Sequence, residues 1–290
     1  SVWQPLDPGS VARAADRLAE AGVEAVAVCL LHSYARPDHE QAVAEVLRAR
    51  LGPEVFVTCS HRILPEIREY ERTSTTVINA FLGPIAARYF ASLQRHLAAI
   101  GLTAPLLVMR SDGGVMSVDA AIEMPAQIVE SGPAAGVVGA AHLSGLAGGR
   151  GAITLDMGGT TAKASMVENG QVARTADYEV GAGINLSSKL VMGGGHALKL
   201  PVIDISEIGA GGGSLVTIDA GGLLRVGPES AGSSPGPVAY DAGGTVPTFT
   251  DAAIALGYVN GDYLVGGDLR LDAAKARAAL EERIAGPIGQ

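Results

Sequence analysis

The stretch that decides the fold is Asp156-Met157-Gly158-Gly159-Thr160-Thr161-Ala162-Lys163. It follows the apolar run Ala152-Ile153-Thr154-Leu155, which predicts a buried strand. Two glycines at the end of a strand permit a turn too tight for side chains, and the amides of such a turn can converge on an anion. A carboxylate beside a phosphate cradle is useful where a divalent cation or a proton-bearing nucleophile lies between them. These residues indicate phosphoryl chemistry, with an ordinary glycine turn capped by Asp156 as the alternative.

The residues after the turn predict a specific order of elements. Residues 161–167 alternate weakly between apolar and polar, Asn169-Gly170 is a favoured type I′ hairpin pair, and a returning strand begins near Val172. The order is therefore strand, turn, strand, hairpin, strand. A P-loop or a dinucleotide-binding turn requires strand, turn and helix instead. The second glycine loop, 209–214, also lacks the last glycine of a dinucleotide fingerprint, because Ser214 stands there.

This order resembles the superfamily of actin, hexokinase and the heat-shock chaperone ATPases, whose phosphate hairpins begin with Asp-x-Gly-(Gly)-Thr. Within that superfamily the chain is similar to the hydantoinase A and 5-oxoprolinase family. The motifs that carry the resemblance occur in the family's order at residues 71–80, 109–114, 131–136, 209–214, 227–232, 235–237 and 247–252. Thr161-Ala162-Lys163 replaces the Ser-Thr-Asp of many members and resembles the branch that contains N-methylhydantoinases. The resemblance implies an α/β, ribonuclease H-like (actin-like ATPase) fold with mixed sheets flanked by helices and two subdomains.

The resemblance also implies that the site uses ATP and Mg²⁺. On this hypothesis Asp156 is the metal residue, because it positions the water shell of Mg²⁺. Lys163 offsets phosphate charge if its side chain points inward, but a strand residue can equally point to solvent. The implied catalytic residues are Asp156 and Thr160, and the implied nucleotide-binding residues are Gly158, Gly159, Thr160, Thr161, Lys163, Gly211, Gly212 and Gly213.

Two runs of three glycines, 193–195 and 211–213, exceed what one tight turn requires. They predict mobility rather than packing, of the kind seen in loops that close over phosphates. By resemblance the second run lies near the nucleotide or near a cleft that faces a partner. The sequence does not separate these two positions.

The function that the resemblance implies is that of an ATP-dependent amide-activating subunit. ATP would phosphorylate the carbonyl oxygen of a small cyclic amide, a hydantoin or 5-oxoproline, and water would open the ring in a partner subunit or domain of the hydantoinase B type. An ATP-dependent ketone carboxylase subunit is the nearest alternative. A non-catalytic partner subunit and a sugar or acetate kinase are the others.

The resemblance predicts two subdomains, 1–147 and 148–290, with the boundary near the glycine-rich segment 145–151. The family's other phosphate hairpin, expected at an extreme N-terminus, and its adenosine segment are not found in the sequence. Asp241-Ala242-Gly243-Gly244-Thr245 repeats the letters of the phosphate turn, but no buried strand leads into it. We therefore expect a central part of a longer polypeptide, which binds nucleotide feebly and has no turnover by itself.

Helical and strand patterns alternate in the first half. They predict helices at 8–21, 38–51 and 75–100, and strands at 24–31, 55–57 and 105–109. The β-α-β succession implies parallel strands with helices on their faces. Gly83-Pro84 should kink the long helix or split it in two.

Composition narrows the remaining classes of function. The formal net charge of −9 argues against nucleic acid as a partner, and no apolar run reaches the roughly 20 residues of a membrane span. No export signal opens the chain, so we expect a cytoplasmic protein. The histidine and cysteine spacing predicts no zinc site made by protein ligands alone, and Cys29 and Cys59 are expected to be reduced.

Overall fold

A computed structural model describes residue 2, residues 4–181 and residues 195–289. Contacts divide these residues into two compact units. Unit 1 contains the described residues of 2–152, 166–181 and 195–204, and unit 2 contains 153–165 and 205–289. The chain therefore leaves unit 1, forms the phosphate turn in unit 2, and returns. The predicted domain boundary at 147/148 stays a prediction.

Both units contain α-helices. In chain order the helices are α1 (Pro8–Glu20), α2 (Asp38–Leu51), α3 (Ser60–Ile63), α4 (Glu69–Ala99), α5 (Val118–Glu123), α6 (Ser131–Leu146), α7 (Phe249–Ala255), α8 (Ala273–Leu280) and α9 (Gly286–Ile288). Short 3₁₀ segments occur at Pro125–Ile128, Val238–Tyr240 and Val265–Gly267, and a π-helical segment at Glu281–Ala285. No helix in the described ranges is long and apolar enough to cross a membrane.

The strands are short. In chain order they are β1 (Ala25–Val28), β2 (Phe56–Cys59), β3 (Leu107–Met109), β4 (Val115–Ser117), β5 (Gly151–Met157), β6 (Ala162–Glu168), β7 (Gln171–Val172), β8 (Arg174–Thr175), β9 (Tyr178–Val180), β10 (His196–Leu198), β11 (Val202–Ile203), β12 (Ser206–Ile208), β13 (Ser214–Ile218), β14 (Leu224–Ser230), β15 (Tyr263–Leu264) and β16 (Leu269–Arg270). The glycine run 193–195, for which mobility is predicted, lies outside the described residues except for Gly195.

The first strand pair of unit 1 is parallel, as its β-α-β pattern predicts. β1 pairs with β2 in the register Ala25↔Phe56 to Val28↔Cys59, and α2 connects them. The buried centre of this layer contains Ala15, Val28, Ala44, Leu47 and Cys59. The strand predicted at 105–109 is different, because β3 forms an antiparallel hairpin with β4.

The long helix α4 is one continuous helix from Glu69 to Ala99 with Pro84 inside it, so Gly83-Pro84 does not split it in two, and the predicted kink stays a prediction. Gly83 has a packing role instead. A Cβ added at Gly83 would overlap the ring of Phe56, which shows that the β2 side chain lies directly on the helix backbone. The glycine permits this close approach between α4 and β2.

The predicted hairpin that follows the phosphate turn is confirmed. Strand β6 ends at Glu168, and β7 pairs with it through Glu168↔Gln171. Asn169 and Gly170 have φ values of 50° and 73°, as a type I′ turn requires.

The strand that leads into the phosphate turn is not buried. The prediction for 152–155 is correct for the strand and wrong for its burial, because Ile153 is 81% exposed and Leu155 71% exposed. Strand β5 lies at the edge of the sheet order β12-β6-β5. An edge strand has a neighbouring strand on one side only, and an apolar sequence by itself does not ensure that another element covers it.

Unit 2 also contains the β13–β14 ribbon and the helices α7 and α8. Its buried cluster comprises Ala239, Ile254 and Ala276. Thr248 begins α7 with a capping box, which orients the start of this helix.

Candidate functional site

The phosphate turn lies in unit 2 between β5 and β6. The Gly158 amide donates a hydrogen bond to the Thr161 carbonyl at 2.9 Å, which closes the turn. Asp156 is the second-last residue of β5, and the side chains of Asp156 and Thr160 are exposed. A carboxylate and a hydroxyl are thus presented to solvent at one end of a hairpin.

The glycine loop 209–214 packs against this turn. The Gly212 amide donates to the Gly158 carbonyl at 2.9 Å, and the Gly213 amide donates to the Gly159 carbonyl at 2.7 Å. These two bonds connect the loop to the turn backbone to backbone. We call this pair of bonds the brace.

The brace determines where two amides of the turn point. In a trans peptide the C=O of one residue and the N–H of the next point in opposite directions. Since the Gly158 and Gly159 carbonyls point at the loop, the Gly159 and Thr160 amides point away from it. Within the described part of the chain, these two amides donate to no backbone carbonyl. Two adjacent free amides that point the same way are suited to an anion.

Glycine is required at the contact between the loop and the turn. A Cβ added at Gly211 would lie 2.6 Å from the carbonyl carbon of Thr160, and one added at Gly213 would lie 3.0 Å from the Gly159 carbonyl oxygen. Ser214, itself fully buried, accepts the Gly211 amide at 2.8 Å. The prediction that 211–213 is mobile is therefore wrong, because these glycines allow two backbones to touch.

Lys163 is directed at a carboxylate on the neighbouring strand. Its Nζ lies 3.9 Å from Oε1 of Glu207, and the two residues are register partners of β6 and β12. The Lys163 side chain is 20% exposed, so it is neither fully solvated nor fully enclosed. This pair partly neutralises the charge that Lys163 would bring to a phosphate.

The donor set fits a metal–nucleotide complex. Amides and hydroxyls of the turn are donors for phosphate oxygens, and the Asp156 carboxylate is the type of oxygen ligand that Mg²⁺ prefers. A side chain at Gly211 would displace the turn, because an added Cβ would overlap the backbone of Thr160 and Thr161. The structure brings Gly211, Gly212 and Gly213 to the turn, although the amides of Gly212 and Gly213 are already used by the brace.

Three other residues of the sequence motifs lie outside the phosphate turn: Asp112 and Ser131 in unit 1, and Asp241 in unit 2. Asp112 belongs to the β3–β4 turn, where it accepts the Gly114 amide at 2.9 Å and pairs with Arg110. Ser131 is the first residue of α6, and Glu130 is the N-cap of that helix. Asp241 starts an exposed turn after a 3₁₀ segment and pairs with Lys275, so its Gly-Gly-Thr is no second phosphate turn of the kind formed by two strands.

A buried polar cluster in unit 1 was missed by the sequence analysis. Glu40 is fully buried and accepts hydrogen bonds from Ser60 Oγ at 2.6 Å, from the Leu30 amide at 2.8 Å and from the His61 amide at 3.0 Å. His61 Nδ1 lies 2.7 Å from Glu40 Oε2. Burial alone would raise the pKa of Glu40, but these hydrogen bonds outweigh it and hold the pKa below its ordinary value.

Cys59 completes a Glu-Cys-His group whose possible metal-ligand atoms lie within 4.8 Å of one another. Burial, with a smaller contribution from Glu40, raises the pKa of Cys59 to about 11, so the thiol is protonated at neutral pH. The oxygens of Glu40 already accept several donors. This arrangement is that of a satisfied buried carboxylate. Cys29 and Cys59 are both free thiols.

The fold and the braced hairpin define an α/β protein of the actin-like ATPase type. Residues 72–290 match the family model Hydantoinase/oxoprolinase, and residues 1–51 match the model Hydantoinase/oxoprolinase N-terminal region. The chain therefore belongs to the hydantoinase/oxoprolinase family.

Named relatives include subunits of enzyme complexes. The chain is 36% identical over 289 residues to caprolactamase subunit alpha of Pseudomonas jessenii, covering 100% of this chain and 40% of the relative. It is 35% identical to acetophenone carboxylase gamma subunit of Aromatoleum aromaticum, covering 100% and 38%. The nucleotide-free structure of acetone carboxylase, an enzyme of ATP-dependent acetone carboxylation, superposes with a TM-score of 0.75 at 27% identity, covering 98% and 39%. The chain thus spans about two fifths of the length of these relatives.

Proposed function

We propose that this chain supplies part of the phosphoryl-transfer site of an ATP-dependent enzyme that activates a cyclic amide of the hydantoin or 5-oxoproline type. The observation that carries the proposal is the braced turn, in which the Gly159 and Thr160 amides point away from the glycine loop. Membership of the hydantoinase/oxoprolinase family supports the substrate class. A caprolactam ring, acted on by the named relative, is also a cyclic amide.

The chemistry explains why ATP would be spent on an amide. An amide resists hydrolysis because its nitrogen donates electrons into the carbonyl group. Transfer of the γ-phosphoryl group to the carbonyl oxygen forms an O–P bond, breaks the bond between that phosphorus and ADP, and releases the ring N–H proton. The ring carbon then becomes electrophilic enough for water to attack. Its attack breaks the ring C–N bond, the nitrogen takes up protons to leave as an amine, and hydrolysis of the resulting acyl phosphate releases inorganic phosphate.

The turn residues have separate roles in this proposal. The Gly159 and Thr160 amides and the Thr160 and Thr161 hydroxyls bind phosphate oxygens, and Gly158 shapes the turn. Asp156 orients the water shell of Mg²⁺, which when bound neutralises phosphate charge. Lys163 offsets phosphate charge only if its ammonium group moves away from the Glu207 carboxylate, which lies 3.9 Å from it. Gly211, Gly212 and Gly213 act on the nucleotide through the turn that they support.

The relatives' names support a companion polypeptide. Caprolactamase and acetophenone carboxylase relatives are named as subunits, and the ring-opening step needs a site for water. We assign that step to a hydantoinase B-type subunit or domain. The proposed location of the assembly is the cytoplasm.

A ketone carboxylase subunit is the second candidate, because an acetophenone carboxylase subunit and an acetone carboxylase are among the relatives. In that case an enol oxygen would accept the phosphoryl group. The braced turn would serve both reactions equally, since it contacts only the phosphates. Substrate trials must therefore separate the two.

The test is a calorimetric titration of Mg·ATP into this chain and into the product of the complete gene. ATP hydrolysis by the complete product, with its partner, is then measured with 5-oxoproline, hydantoin or caprolactam, and separately with acetone or acetophenone plus bicarbonate. Stimulation by a cyclic amide supports the proposal, and stimulation only by a ketone plus bicarbonate selects the second candidate. Nucleotide binding by neither protein would overturn both and favour a non-catalytic subunit.

A further inference from the structure

The start of helix α7 in unit 2 is built around a fully buried carboxylate. Asp251 is 0% exposed and accepts four hydrogen bonds. Two come from the amide and the hydroxyl of Thr248, at 2.8 and 2.9 Å, and two from the amides of Val238 and Ala239, at 3.1 and 2.8 Å. The Asp251 amide returns a bond to Thr248 Oγ1 at 3.3 Å. A buried carboxylate with this many donors fixes the first turn of the helix.

The same helix start holds the glycine loop. Thr250 donates both its amide and its hydroxyl to the Gly212 carbonyl, each at 2.8 Å. The Gly212 amide in turn donates to the Gly158 carbonyl. Thr250 is therefore connected to the phosphate turn through one residue, and the connection consists of hydrogen bonds at both ends of Gly212.

We propose that Thr250 is a positioning residue for the phosphate turn. Its role is indirect: it fixes the Gly212 carbonyl, and so holds the loop in the place where the Gly212 and Gly213 amides donate to the Gly158 and Gly159 carbonyls. This proposal rests on the proposed function for its consequence, nucleotide affinity. The structural part of the proposal is the hydrogen-bonded connection between Thr250 and the turn, and it does not depend on any activity.

The orientation of two peptide planes explains why a remote hydroxyl would affect phosphate binding. The Gly159 and Thr160 amides can point at an anion only while the preceding carbonyls point at the loop. If the loop shifts, the peptide group between Gly158 and Gly159 is free to rotate. The Gly159 amide in that group then no longer points at the anion. A Cβ added at Gly212 would lie 2.9 Å from Thr250 Oγ1, so there is no room for a side chain between the two residues. Thr250 and Gly212 are thus already in contact.

The test uses Thr250→Val, which removes the hydroxyl while keeping the shape and the amide. Thr250→Ser keeps the hydroxyl and serves as the rescue. Thr217→Val makes the same chemical change at an exposed strand position of unit 2. Two quantities are measured in the complete gene product: amide hydrogen exchange at Gly212 and Gly158, and the Kd for Mg·ATP.

For Thr250→Val we expect about 3- to 10-fold faster exchange at Gly212 and Mg·ATP binding weakened by about the same factor, the effect of losing one hydrogen bond. Thr250→Ser and Thr217→Val should stay within about twofold of wild type on the same scale. Unchanged exchange and unchanged Kd in Thr250→Val would overturn the inference. Faster exchange with an unchanged Kd would also overturn it, because the hydroxyl would then hold the loop without affecting the phosphate site.

The exchange measurement also separates this inference from the proposed function. If wild type binds no Mg·ATP, the proposed function fails and the positioning role toward nucleotide fails with it. Faster exchange in Thr250→Val would then still show that Thr250 holds the loop. If wild type binds Mg·ATP and Thr250→Val binds it equally, only the positioning role fails.

Discussion

A methyl group added at Gly211 would lie 2.6 Å from the carbonyl carbon of Thr160 and 2.6 Å from the amide nitrogen of Thr161. The glycine loop and the phosphate turn therefore touch through their backbones. Backbone atoms cannot move aside as the end of a flexible side chain can. The absence of a side chain at 211 is a packing requirement of the candidate site.

We predict that Gly211→Ala displaces the phosphate turn. Relief of the contact requires a shift of the loop or of the turn, and overpacking of this kind typically destabilises by about 1–3 kcal/mol. If the turn shifts, the Gly159 and Thr160 amides lose their alignment, and the Kd for Mg·ATP should rise by roughly tenfold or more, equivalent to about 1.4 kcal/mol or more. Urea unfolding measures the loss of stability, and calorimetric titration with Mg·ATP measures the Kd on the same preparation.

Gly139→Ala is the matched control for Gly211→Ala. Gly139 lies inside α6, and an added Cβ meets nothing within 4 Å. A helix-interior alanine should stabilise by about 0.5–1 kcal/mol and leave nucleotide affinity unchanged. Equal affinity in Gly211→Ala and wild type would contradict the steric argument.

A second prediction concerns Asp156→Asn in the complete gene product. Asn keeps the size of the side chain and removes the charge that would attract the Mg²⁺ water shell. Loss of a catalytic carboxylate lowers rates by about 10²–10⁴-fold, so ATP turnover should fall in that range. Asp262→Asn, an exposed aspartate of unit 2, should leave turnover unchanged. Wild-type turnover in Asp156→Asn would remove Asp156 from the mechanism.

The hairpin of the candidate site could be predicted because its local signals are conformational. Asn169 and Gly170 tolerate the positive φ that a type I′ turn requires, and two glycines after an apolar run permit a tight turn, whatever lies around them. The capping box of α7, Thr248-x-x-Asp251, is a local signal of the same kind, although it was identified from the structure and not from the sequence. These features depend on residues that are close in sequence.

Burial and loop packing could not be predicted in the same way. Ile153 and Leu155 lie on one face of β5 and are both exposed, and whether another element covers that face depends on tertiary packing rather than on local sequence. Glycine runs look alike in sequence whether they provide mobility or close approach, and only the contact between Gly211 and the turn distinguishes the two. The hydrogen-bond partners of Glu40 are Leu30, Ser60 and His61, which lie 10 or more residues away in sequence. The residues next to Glu40 therefore do not predict that it is buried.

A third prediction tests the close packing of α4 against β2 at Gly83. Gly83→Ala places a methyl group into the ring of Phe56, so that ring or the helix must move. We expect a loss of about 1–3 kcal/mol of unfolding free energy in unit 1. The double variant Gly83→Ala with Phe56→Leu should lose less than the sum of the two single variants, because a smaller side chain removes the clash. Additive losses would show that the two residues do not compete for space.

The last prediction concerns the pH dependence of stability through Glu40. Its folded pKa is lowered from 4.5, so its contribution is fully present above the unfolded pKa and is lost as pH falls through the folded pKa. Glu40→Gln cannot titrate, and its amide NH₂ would face hydrogen-bond donors. We expect it to lower the unfolding free energy by about 1–3 kcal/mol at neutral pH. The gap to wild type should remain constant above roughly pH 5 and narrow below that pH as wild type loses the contribution. Urea unfolding from pH 3 to 7 measures this gap, with exposed Glu54→Gln as the control. A gap that stays constant down to pH 3 would mean that the Glu40 carboxylate is no more stabilised in the folded chain than in the unfolded one.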